Sequence, residues 1–127
     1  MIKHLLLVTL GGGIGSGLRY LTTYWIMKQL PNSFPLSTFV VNILGCFAIG
    51  FLMGLTTRYE IFNNELRFLL IVGFCGGYTT FSTFSAENIK LIEMGHYGMA
   101  ALYIATSILG GIAALWVGHV LSKILIS

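Results

Sequence analysis

Gly73-Phe-Cys-Gly-Gly-Tyr-Thr-Thr-Phe-Ser-Thr-Phe-Ser85 is the stretch on which the reading of this chain turns. It lies in an apolar segment from about Phe68 to the mid-80s, yet it does not read as an ordinary membrane helix. Gly76-Gly77 is a poor helix-forming pair, since each Gly costs roughly 1 kcal/mol relative to Ala. Thr79, Thr80, Ser82, Thr83 and Ser85 then place five hydroxyls in seven residues. Irregular backbone at membrane depth persists only where protein buries it or where it lines a wet cavity. A broken helix there frees carbonyls that can hold a cation and amides that can face an anion. Phe81 and Phe84 are three residues apart and share one face if the second half is helical. The competing reading is a lipid-facing Phe pair, with hydroxyls bonded within or between helices. The adjoining Gly pair favours a functional break.

Composition sets the environment of this stretch. The 127 residues are 56% hydrophobic and 9% charged, and the mean hydropathy is +0.87. A soluble domain carries about 25% charged residues, so this chain belongs in a bilayer. A spanning helix takes roughly 20 residues, which leaves room for four with short loops. The net charge is +3, from basic residues scattered singly. Without a basic run, nucleic acid is not an expected partner. Cys46 and Cys75 both fall in apolar segments, read as small packing residues rather than metal ligands or a disulfide framework.

The first span is expected at about 4–27. Lys3 followed by Leu5-Leu-Leu-Val-Thr-Leu10 superficially looks like a signal peptide, but further spans follow and cleavage is not expected. Gly13-Ile-Gly15 is not a dinucleotide fingerprint, because no strand precedes it. Gly11/Gly15 and Gly13/Gly17 instead have the four-residue spacing that lets membrane helices approach closely. Arg19 is deep enough to cost about 2.5–3.5 kcal/mol in lipid. It is read as a positive charge at the mouth of an aqueous vestibule, with snorkelling beside Tyr20 and Tyr24 as the alternative.

Pro31 and Pro35 bracket a turn before the second span, about 36–57. Asn42 is its one strongly polar interior residue and needs partners in the bundle or a wet path. Gly50 and Gly54 form another close-packing pair. Arg58 to Arg67 is the most charged stretch and reads as an interfacial loop. The third span is expected at about 66–89, with Glu87 at or near its end, read as a solvated carboxylate with a pore-mouth role as the alternative. The fourth, about 98–120, puts Tyr103 and Ser107 on one face, four residues apart. His4, His96 and His119 lie near span ends. Four spans put both termini on one side, with Lys3, Arg58, Arg67 and Lys123 there and Lys28 and Lys90 opposite. That bias is weak on the positive-inside rule and permits insertion in both orientations.

Three stretches together resemble the Fluc family of fluoride channels, also called CrcB proteins. They are Gly11-Gly-Gly-Ile-Gly-Ser-Gly-Leu-Arg-Tyr20, Ser37-Thr-Phe-Val-Val-Asn-Ile-Leu-Gly45 and the Gly73–Ser85 stretch. The fourth helix matches more loosely, with Tyr103 and Ser107 present but Gly111 where a second hydroxyl is often found. The resemblance implies an antiparallel dual-topology homodimer with two fluoride pores, each lined by both subunits. It places Asn42 on the pore wall and the ring edges of Phe81 and Phe84 towards the ion. Ser82, Thr83, Tyr103 and Ser107 are candidate lining hydroxyls, and Arg19 belongs to the vestibule. It also implies a structural Na⁺ at the dimer centre, held by main-chain carbonyls of Gly76 and Thr79 and their copies.

The expectation is therefore an all-α membrane protein: a single four-helix transmembrane domain over 1–127 with a break in the third helix. It would be multi-pass in a bacterial cytoplasmic (inner) membrane and pass fluoride out passively. The alternatives are a small multidrug-type proton-coupled exporter and a non-transporting scaffold. The exporter needs an ionisable carboxylate inside the membrane, and the first, second and fourth spans contain no Asp or Glu. No nucleophile–base pair, metal cluster or cofactor motif points to an enzyme.

Overall fold

A computed structural model describes residues 1–30, 34–58 and 64–126. Helices and short connections make up these residues, with no strand among them. Helix α1 covers Ile2–Gln29 and closes with Lys28 in its last turn, where a cation complements the helix dipole. Helix α2, Leu36–Arg58, begins directly after Pro35. Residues 31–33 of the expected Pro31–Pro35 turn, and 59–63 at the centre of the Arg58–Arg67 loop, lie outside the described residues.

The third segment is irregular. It begins as α3, Asn64–Leu66, widens into a π-helical run, Arg67–Cys75, and returns to α geometry in α4, Gly76–Tyr78. Thr79 and Thr80 are extended, and α5 covers Phe81–Glu93. A turn with Gly95 at φ 81° leads into α6, Tyr97–Ile126. Only a residue without Cβ takes that φ without strain. The glycine pair is thus helical, and the chain leaves the helix three residues later. Gly77 serves packing instead: a Cβ on it would lie 2.5 Å from the Gly12 carbonyl.

Three helical stretches are long and apolar enough to cross a membrane: Leu36–Thr56, Asn64–Glu93 and Tyr97–Leu125. Helix α1 is long enough at 28 residues, but its glycines, hydroxyls and Arg19 dilute its apolar character, and it is not among the three.

Close backbone approach assembles the bundle in two pairs. Helix α1 lies along the π-helical run and α4. A Cβ on Gly11 would strike the Leu69 backbone, and one on Gly15 the Phe74 backbone. Gly13 and Gly17 have open space where their Cβ would be, so of the two glycine pairs in α1 only Gly11/Gly15 seats a helix within the chain. Helix α2 lies along α6, with Gly50 against Leu115, Gly54 against Ser122 and Gly118 against Phe47. Buried apolar side chains are few. Leu91, Ala100 and Tyr103 form a cluster with Phe34, Phe39, Phe84 and Met99 around it. Large apolar residues such as Leu109, Ile112 and Trp116 are exposed, as a surface meant for lipid or for another chain requires. At one end of the molecule the exposed Lys3 Nζ pairs with Glu65 Oε1 at 2.6 Å.

Candidate functional site

The site is built on the two extended residues. Thr79 has φ −81°, ψ 158° and Thr80 has φ −150°, ψ 120°. Neither conformation can continue the ladder of i to i−4 hydrogen bonds. Asn42 of α2 compensates. Its Oδ1 accepts from the Thr80 N–H at 2.8 Å, and its Nδ2 donates to the Thr80 carbonyl at 3.1 Å. One amide side chain therefore satisfies both main-chain polar groups of Thr80. The Thr80 Oγ1 caps α5 by accepting from the Thr83 N–H at 3.3 Å. Upstream, the Cys75 carbonyl accepts both the Thr79 N–H and the Thr79 Oγ1 hydroxyl, each at 3.0 Å.

Helix α1 supports the same point from the other side. Arg19 Nη1 donates to the Thr79 carbonyl at 3.4 Å. The guanidinium thus reaches the interruption instead of turning away with Tyr20 and Tyr24, which are 56% or more exposed. Ser16 Oγ donates to the Gly77 carbonyl at 3.5 Å, and the Thr22 and Tyr78 hydroxyls lie 3.1 Å apart.

Beside the interruption is a cleft of about 240 Å³. Asn42, Thr79, Thr80, Phe81, Phe84 and Ser107 line it, with Cys46 at its wall. Of the residues expected to line a pore, Asn42, Phe81, Phe84 and Ser107 meet here. The Phe81 and Phe84 ring centroids are 5.8 Å apart. Phe81 is 78% exposed, so the cleft is unwalled on that side. Ser107 Oγ is buried and has no hydrogen-bond partner among the described residues. Ser82 and Thr83 are exposed and are not among the residues lining the cleft, whereas Thr80, two residues before Ser82, is. Tyr103 is also outside it, fully buried, with its ring edge-on to Phe84 at 4.9 Å.

Glu87 departs from the sequence expectation of a solvated carboxylate. Its Oε1 accepts the Tyr103 hydroxyl at 2.9 Å and its Oε2 accepts the Thr38 hydroxyl at 3.0 Å. It is half-buried and ties α5 to both α2 and α6. The signal was present in the spacing, because Glu87 follows Phe84 by three residues and shares its face. Its partners come from two other helices, which spacing along one helix does not reveal.

Main-chain oxygens near residues 76 and 79 bear on the expected cation. A continuing helix would aim the Thr80 N–H at the Gly76 carbonyl, and that N–H goes to Asn42 instead. The Thr79 carbonyl already faces one cationic group, the Arg19 guanidinium. Released carbonyls of this kind are the ligands that unwound membrane helices offer to Na⁺, so the donor set fits the group. Among the described residues no three His, Cys, Asp or Glu side chains gather as a metal site.

Residues 6–119 match the family described as CrcB-like protein, Camphor Resistance (CrcB). The chain belongs to the CrcB family. Relatives of this family member carry the name Fluoride-specific ion channel FluC. One from Phocaeicola vulgatus is 48% identical over 96% of this chain and 100% of its own. One from Flavobacterium psychrophilum is 46% identical over 96% and 98%. One from Azobacteroides pseudotrichonymphae is 45% identical over 97% and 98%. Each covers both the Asn42 helix and the stretch that carries Phe81 and Phe84. The CrcB family chain is thus placed by its whole length and not by one motif.

Proposed function

We propose that this chain is a fluoride-selective ion channel that lets fluoride leave the cytoplasm passively and so limits its toxicity. The observation that carries the reading is identity of 45% or more, over nearly the whole chain, to proteins named as fluoride-specific channels. The cleft supports it chemically. Fluoride is compact, strongly hydrated and can only accept hydrogen bonds, so a path must replace its water with donors. Nδ2 of Asn42 gives one of its two hydrogens to Thr80 and retains the other. The Ser107 hydroxyl has no partner among the described residues. The rings of Phe81 and Phe84 offer the positive edge of an aromatic quadrupole, a weaker attraction. Arg19, hydrogen-bonded to a cleft residue, adds a positive charge that draws anions.

The working unit in this reading is an antiparallel homodimer of four-span subunits in the bacterial inner membrane, with two pores. The exposed Phe81 ring supports it: a path open to lipid on one side needs a second wall, and another copy would supply it. A Na⁺ held at the dimer centre by the Gly76 and Thr79 carbonyls and their copies would neutralise oxygens that the interruption leaves without helical donors. With both rotational copies contributing, the shell closes by symmetry.

One observation favours a second reading, a proton-coupled exporter. Glu87 sits among α2, α5 and α6 rather than at the surface. Both its oxygens accept hydroxyls, which is also how a fixed structural carboxylate is held. Efflux from liposomes containing the purified protein separates the readings. A fluoride electrode should register fast efflux with little chloride flux and no dependence on an imposed proton gradient. Flux that needs the proton gradient, or saturates with organic cations, would instead make it an exporter. Absence of any flux from folded protein would leave a scaffold.

A further inference from the structure

We infer that Asn42 is a positioning residue for the cation at the helix interruption, in addition to facing the anion cleft. The inference rests on the proposed Na⁺ and concerns what keeps its ligands available. The Thr80 N–H is the donor that a regular helix would deliver to the Gly76 carbonyl. In this chain Asn42 Oδ1 takes that N–H at 2.8 Å. The same amide returns a hydrogen to the Thr80 carbonyl at 3.1 Å. It therefore stabilises both polar groups of Thr80 in the extended conformation. Two contacts make reversion unfavourable while the amide is in place. Gly45, one turn along α2, packs on the Thr79 methyl group. The Thr80 hydroxyl is committed to the cap of α5.

Without the Asn42 acceptor, the half-buried Thr80 N–H loses its partner unless it turns back to Gly76. A buried unmade hydrogen bond costs about 1–3 kcal/mol, which drives that return. The return ties the Gly76 carbonyl to a helical donor and turns it along the helix axis, which weakens it as a cation ligand. One side chain on α2 thus couples two ions of opposite sign: it frees the oxygens for the cation, and it lines the cleft with a second amide hydrogen to offer the anion. Arg19 has a separate part, since it contacts the Thr79 carbonyl and not Thr80.

The test is the melting temperature of the purified full-length chain in detergent, titrated with NaCl against equimolar N-methylglucamine chloride. A ligand that binds only the folded state raises the melting temperature in proportion to its affinity. Wild type should show a saturable Na⁺-dependent rise. Asn42→Ala should need roughly tenfold more Na⁺ for half the rise, or show none, as the loss of one good ligand predicts. Asn42→Asp keeps an acceptor for the Thr80 N–H and should keep the rise, while its added negative charge cuts fluoride flux. An undiminished Na⁺ response in Asn42→Ala overturns the inference. If Asn42→Ala yields no folded protein, Asn42→Asp decides: a retained response supports the acceptor role, and a lost one overturns it. No Na⁺ response in wild type would remove the proposed cation itself, a failure distinct from that of Asn42, and the inference falls with it.

Discussion

Phe81 and Phe84 sit on the same face of α5 but in different surroundings. Phe81 is 78% exposed, whereas Phe84 is half-buried and packs its ring against Tyr103 at 4.9 Å. Replacing either by Ile removes an aromatic edge from the cleft while keeping an apolar side chain. Phe81→Ile should lower fluoride efflux with little change in melting temperature. Phe84→Ile should lower efflux and also destabilise by about 0.5–1.5 kcal/mol, the usual worth of an aromatic pair. Efflux by fluoride electrode and melting of the same preparations check both. Wild-type flux in either variant would contradict that ring's place on the path. Cys46 offers an independent probe, because its thiol borders the same cleft while Cys75 is buried at 1% exposure. A small methanethiosulfonate reagent should reduce efflux in wild type and leave Cys46→Ser unaffected. Equal loss in the serine variant would place the sensitive group elsewhere. At this scale the sequence was informative where one residue type stood out from its setting. Asn42 was the single polar interior residue of its span, and two Phe residues three apart marked a face. It was silent where direction mattered. Ser82 and Thr83 lie just inside α5 and are exposed in the single subunit, and Glu87 looked terminal because the depth of a helix end cannot be read from charge alone.

The third segment carries the local cost of the site. The chain passes through a π-helical run, a short α turn and two extended threonines before α5 begins. Wider π geometry is uncommon and is frequent at functional positions. Gly76-Gly77 drew attention correctly but for an incomplete reason. The pair is helical, and Gly77 admits the Gly12 backbone, which lets α1 brace the residues just before the interruption. The interruption itself is set by threonines that find partners outside the helix, which no propensity scale records. Thr80→Ala isolates one of those partners. It removes the cap on the Thr83 N–H while leaving the main-chain bonds to Asn42 in place. A lost N-cap costs about 0.5–2 kcal/mol. Faster amide exchange should therefore appear at Ser82 to Phe84, with helices α2 and α6 unchanged. Faster exchange throughout the chain would mean that Thr80 supports more than the start of α5.

Orientation in the membrane is a property of the whole chain, and it rests on few charges. Lys3, Arg58, Arg67 and Lys123 oppose Lys28 and Lys90 in a four-span arrangement, four against two. Positive-inside bias is set by Lys and Arg near the span ends, while Asp and Glu contribute little. A difference of two is a weak preference that permits both orientations, which the proposed antiparallel dimer would need. The charge bias can be strengthened in either direction. Lys28→Gln with Lys90→Gln removes both loop lysines from one side and should fix the termini on the cytoplasmic side. Two lysines added beside Lys28, with Lys3→Gln and Lys123→Gln, should reverse the chain. Each set expressed alone should give little fluoride efflux from vesicles, because only parallel pairs can form. Co-expression of the two sets should restore it. A tag on either terminus, read by protease or thiol accessibility from outside, checks the orientations directly. Full efflux from one set whose tag reports a single orientation would show that the path does not need an inverted partner. The exposed face beside Phe81 would then have to be closed by lipid or by a parallel copy.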